Sequence, residues 1–89
     1  MATELQNEID LMWTARDTHC LMVYRARSCS DLHAADMHLT HVIGKVLARC
    51  DNETTRQHCR MIYDAIATDH IDRAFLDRQT ARTIAEWTE

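Results

Sequence analysis

The chain has 89 residues, 14 acids against 10 bases, a net charge of −4 at pH 7, no proline and one glycine, Gly44. The tight turns of a sheet draw on Gly and Pro, so a chain this poor in both is expected to be all-α. The acid excess and the lack of any basic run argue against nucleic acid and anionic membrane as partners and favour another protein.

A chain of this length is read as a single helical domain over 1–89, near the small end of what folds alone on a hydrophobic core. Its opening, MATELQNEID, is acidic and polar, unlike a signal or transit peptide, and the longest apolar run, Cys20 to Tyr24, is far too short for a membrane span. A cytoplasmic protein with reduced thiols is expected.

Two capping clusters, Ser28-Cys29-Ser30-Asp31 and Asp51-Asn52-Glu53-Thr54, divide the chain. Their hydroxyls, amide and carboxylates suit the orphan N–H groups of a helix start. Helices are therefore expected over 3–28, 31–50 and 53–88, as a small antiparallel bundle of three long helices. A weaker break at Thr68-Asp69 would split the last one and give four.

The first helix carries a stripe of Leu5, Ile9, Met12, Trp13, Cys20 and Val23, while Leu11, Leu21 and Met22 fall on other faces. A helix apolar on two sides needs two neighbours. The second helix has the cleanest pattern, with Leu32, Ala35, Leu39, Val42, Ile43, Val46 and Cys50 at spacings of three and four, and is expected to pack centrally. In the last segment a continuous helix would align Cys59, Ile62, Ile66, Leu76 and Trp87, interrupted by Asp69, Arg73, Thr80 and Thr83. A broken one would present Ile71, Ala74, Phe75, Arg78 and Ala81 instead.

The octapeptides running from His19 to Ala26 and from His58 to Ala65 match at five of eight positions, an echo that a duplicated hairpin would explain. Each contains a His-Cys pair. In an up-down-up bundle Cys20 and Cys59 fall at nearly one height, because each lies nine residues from an end of the middle helix. His19, Cys20, His58 and Cys59 together have the ligand set of a zinc site. Adjacent helical residues point about 100° apart, however, which keeps each pair from facing one ion and favours buried core thiols at Cys20 and Cys59 with no cofactor. His38 and His41, three apart, could also chelate, but they project with Lys45 away from the apolar stripe and read as a solvated face.

Arg16 and Arg27 fall within the first apolar stripe, and Arg78 and Arg82 in or beside the last. A buried guanidinium needs an anion, whereas one that snorkels needs only water at its tip. The segment Leu5-Gln6-Asn7-Glu8-Ile9-Asp10 is similar to the opening of the all-helical chorismate mutases, short chains that bind a dicarboxylate with cations. Gln6 stands where that family has an essential arginine, and its Asp-x-x-Arg-Glu stretch has no counterpart, so no membership follows.

The leading expectation is a small acidic protein-binding module, an adaptor, inhibitor or regulator that forms a homodimer; small inhibitor and immunity-type proteins of phage and plasmids share this profile by analogy. Trp87, Leu11, Met22, Arg16 and Arg82 are its candidate contacts. The alternatives are a zinc-binding helical module using the two His-Cys pairs and, third, an anion-binding helical enzyme. No catalytic motif singles out a reacting residue.

Overall fold

The computed structural model describes residues 4–67 and 71–88. They form four helices: α1 (Glu4–Arg25), α2 (Cys29–Arg49), α3 (Glu53–Ile66) and α4 (Arg73–Trp87). There is no strand among the described residues, and none of their helices is long and apolar enough to cross a membrane. The last segment is thus broken, giving four helices in place of three. The expected break at Thr68-Asp69 lies outside the described residues.

The starts of α2, α3 and α4 are each fixed by a short polar side chain. Ser28 caps α2 by accepting the Asp31 N–H at 3.2 Å, and the Asp31 carboxylate reaches back to the Arg27 N–H at 2.9 Å. Asn52 caps α3 by accepting both the N–H and the hydroxyl of Thr55, at 3.0 and 3.1 Å. Asp72 caps α4 through the Ala74 N–H at 2.9 Å. These bonds satisfy donors that a helix leaves open at its N-terminus.

α2 is the central element and packs most extensively on α4 and α1. α1 runs antiparallel to it: Glu8 meets Arg49 at 2.9 Å towards one end, and His19 meets Asp36 at 2.8 Å further along. α4 runs parallel to α2, so His33 lies beside Phe75 near the two N-termini and Lys45 lies over Trp87 near the C-termini. α3 closes the opposite side, where Trp13 donates to His58 Nδ1 at 3.0 Å and the Tyr63 hydroxyl hydrogen-bonds Thr80 Oγ1.

One core cluster draws on all four helices, with Met12, Leu39, Ile43, Val46, Ile62, Tyr63 and Leu76 fully buried. The α2 stripe reads as expected for Ala35, Leu39, Ile43 and Val46, whereas Leu32, near its N-terminus, is exposed. In α1 the buried line is Ile9, Met12, Ala15 and His19. Cys20, expected in the core, is exposed, because it follows His19 and one helical step carries it about 100° away from the face that His19 occupies.

α4 departs most from expectation. Its buried residues are Leu76, Thr80 and Thr83, while Ala74, Arg78 and Ala81 face outward. The reason sits opposite, at Gly44. A Cβ built there would lie 2.5 Å from Thr83 Cβ and 3.1 Å from the Thr80 carbonyl, so the backbones of α2 and α4 approach as closely as they do only because this residue has no side chain. Among the described residues no φ is positive, so Gly44 serves proximity and not an unusual conformation.

Candidate functional site

α2 has α1 on one flank, α4 on the other and the core beneath. Its outward strip, spaced by threes and fours, consists of Asp31, Ala34, His38, His41 and Lys45, all exposed except the half-buried Lys45. α1 supplies Leu11 to this face beside Val42, Lys45 and Arg49, which together line a depression of about 300 Å3. Because α1 is antiparallel, its Met22 falls at the other end, lining a second depression of about 290 Å3 with Arg25, Ala26, Asp31 and Ala34. α4 contributes Trp87, whose ring lies 4.5 Å from Lys45 Nζ and edge-on to His41 at 6.2 Å.

Three side chains expected to meet a partner, Leu11, Met22 and Trp87, therefore fall on one face although they come from two helices and Leu11 and Met22 lie about three turns apart on α1. Leu11 is 43% and Trp87 53% exposed, as are other large apolar side chains, Tyr24, Met61 and Leu21 among them. Arg82 is also exposed and pairs with Glu86 one turn on, at 3.5 Å. Arg16 does not join this face. It lies one turn beyond Trp13 on the side that meets α3 and pairs with its neighbour Asp17 at 3.3 Å. Arg27 and Arg78 are exposed too, so none of these four guanidinium groups is a buried charge.

The four candidate metal ligands are not brought together. His19 Nε2 is held by Asp36, His58 Nδ1 accepts from Trp13, Cys20 is exposed and Cys59 is buried. Among the described residues no three His, Cys, Asp or Glu side chains are grouped to hold a metal ion. Cys59 lies in a cleft of about 330 Å3 between α3 and α4, beside Arg56, Arg60, Tyr63, Arg73 and Asp77. Burial, with a smaller push from Asp77, raises its thiol to about 11, so it carries almost no thiolate at neutral pH. The arginines around it have carboxylates of their own: Arg56 pairs with Asp51 and Glu53, Arg60 with Glu53, and Arg73 with Asp64 and Asp77. That cleft is a neutralised seam, since each of the three arginines described in its lining is already paired.

A further cleft, of about 430 Å3, opens between the N-terminal halves of α2 and α4. Cys29, Leu32, His33 and Asp36 line it from α2, and Phe75 and Arg78 from α4. It was not foreseen, since its two walls come together only through the parallel pairing of α2 with α4. The outer strip of α2 did have a signal, the His38, His41 and Lys45 spacing, but nothing local marked which apolar residues of other helices would flank it.

Comparison with known proteins finds no matching family model, no matching curated protein and no matching solved structure.

Proposed function

We propose that this chain is a cytoplasmic protein-binding module whose interface is the outer face of α2, and that it acts by occupancy, as an adaptor, inhibitor or regulator. The observation that carries the reading is Trp87, left half exposed across Lys45 on the same face as Leu11. Aromatic and aliphatic anchors rimmed by polar groups are the usual make-up of the centre of a protein interface. No second reading has an observation of comparable weight, because the His-Cys pairs are dispersed and the arginine cleft is neutralised from within.

The test places a photo-crosslinking residue at Val42, in the face, and in a second protein at Gln57, exposed on α3. Irradiation in the native cell should give a discrete adduct from position 42 and none from position 57. Equal labelling from both positions, or no discrete adduct from position 42, would overturn the proposal.

A further inference from the structure

The cleft of about 430 Å3 between the N-terminal halves of α2 and α4 shares no residue with the face assigned above to a partner protein. Its volume falls within that of small-molecule sites, roughly 300–1,000 Å3, and so does its make-up, apolar walls with a few polar groups set among them.

Asp36 is the least exposed titratable group described in the lining, its side chain 15% exposed. From α1, His19 Nε2 donates to its Oδ1 at 2.8 Å. Its second oxygen has no partner among the described residues. No buried side-chain polar atom of those residues is left unsatisfied, so this oxygen reaches open space, and the space that Asp36 borders is the cleft. A carboxylate drawn largely out of water with one oxygen unpaired is suited to a cationic donor.

α4 supplies the opposite charge. It runs parallel to α2, and His33 lies beside Phe75 with ring centroids 6.0 Å apart. Three residues further along each helix, about one turn, come Asp36 and Arg78, which therefore stand at one level on opposite walls. Arg78 nevertheless pairs with no carboxylate among the described residues. Asp72, the other acid of the lining, is committed to the α4 cap through the Ala74 N–H. Leu32, Ile71 and Phe75 lie one to two turns towards the N-termini, so the cleft has a charged end and an apolar end.

We propose that this cleft binds a free α-amino acid with a large apolar side chain, its ammonium on Asp36, its carboxylate on Arg78 and its side chain against Leu32, Ile71 and Phe75. An α-amino acid carries both charges on one carbon and its apolar body to one side, which is the arrangement of the two walls. A simple organic cation would face Arg78 unmatched, and a simple carboxylate would face Asp36. Occupied, the site would tie α2 to α4 at their N-terminal ends.

The test titrates L-phenylalanine and L-leucine into the full chain and follows its backbone amide resonances. The amides of Leu32, His33, Asp36, Phe75 and Arg78 should shift together, while those of Leu11 and Trp87 stay in place. L-Phenylalaninamide, which lacks the carboxylate, and N-acetyl-L-phenylalanine, which lacks the ammonium, should each bind about tenfold more weakly than L-phenylalanine, because each leaves one charge of the site unmatched. Arg78→Gln, at an exposed position, and Asp36→Asn, which keeps an acceptor for His19, should weaken L-phenylalanine by about the same factor. If Asp36→Asn does not fold, the N-acetyl analogue reads the same contact in the wild-type chain. No shift from either amino acid at about ten millimolar, where a site of millimolar affinity is nearly saturated, overturns the proposal. So do shifts centred outside the cleft, an analogue that binds as tightly as L-phenylalanine, or unchanged affinity in a folded variant.

Discussion

Cys20 and Cys59 occupy equivalent places in the two matching octapeptides, yet one thiol is exposed and the other only 9% exposed. Their neighbours explain the difference. In α1 the histidine turns inward, because Asp36 of α2 receives it, and the cysteine one step on is carried out. In α3 the cysteine turns inward beneath α4, and the histidine is drawn sideways by the Trp13 indole. Nothing within eight residues encodes that choice, so local resemblance alone could not separate the two. Cys59→Ala is expected to cost about 1–2 kcal/mol in urea unfolding, as a small cavity does, and Cys20→Ala to stay within about 0.5 kcal/mol. Equal losses would show that the two thiols share an environment. Cys59 also implies a pH effect. Burial pushes its thiol from the ordinary 9.0 up to about 11, so its contribution is intact below pH 9 and declines as pH rises from 9 towards 11. Burial raises the Tyr63 phenol as well, extending the same decline to higher pH. Stability measured from pH 8 to 11 should fall, and less steeply in Cys59→Ala; an identical slope in both proteins would remove Cys59 as a cause.

The helix elements differ in how plainly they could be read. α2 was legible because four of its buried residues, Ala35, Leu39, Ile43 and Val46, are apolar and regularly spaced, although Thr40, Gly44 and Leu47 are buried beside them. α4 was not, because Thr80 and Thr83 look like interruptions of a stripe and are in fact its centre. A threonine can be buried when its hydroxyl is satisfied, as Thr83 is by the Gln79 carbonyl at 3.1 Å and Thr80 by Tyr63. Among the described residues no buried side-chain polar atom lacks a partner. Gly44→Ala should be destabilising by about 1–3 kcal/mol, even though Ala is the better helix former, because the new methyl meets Thr83 Cβ and not a movable chain end. A more stable Gly44→Ala protein would show that α2 and α4 are not so close. The Tyr63–Thr80 bond can be isolated with a double-mutant cycle. Tyr63→Phe and Thr80→Val should each cost about 1–3 kcal/mol by stranding a buried hydroxyl, and the double variant should cost clearly less than their sum. Strict additivity would mean the two hydroxyls do not depend on each other.

At the scale of the whole molecule, the helical class and the two capped breaks followed from composition and from Ser28 and Asn52. The parallel alignment of α4 with α2 did not, because it depends on where the chain returns after Ile66 and on the absence of a side chain at Gly44. That alignment makes α4 structural. Leu76 is fully buried against the core, Thr80 closes over the Tyr63 hydroxyl, and Thr83 fills the space above Gly44. Removing α4 uncovers Leu47 and Tyr63, which line the seam it closes, together with the α2 face around Gly44. Exposing a large apolar side chain costs about 1.5–3 kcal/mol, so two or three of them approach the roughly 5–15 kcal/mol that holds a small domain together. A chain ending at Ala67 is therefore expected to keep part of its helicity, lose its sharp thermal transition and bind a hydrophobic dye, as a collapsed chain without fixed packing does. If the shortened chain melted as sharply and at the same temperature as the full one, α4 would be an appendage. The core would then have to close on α1, α2 and α3 alone.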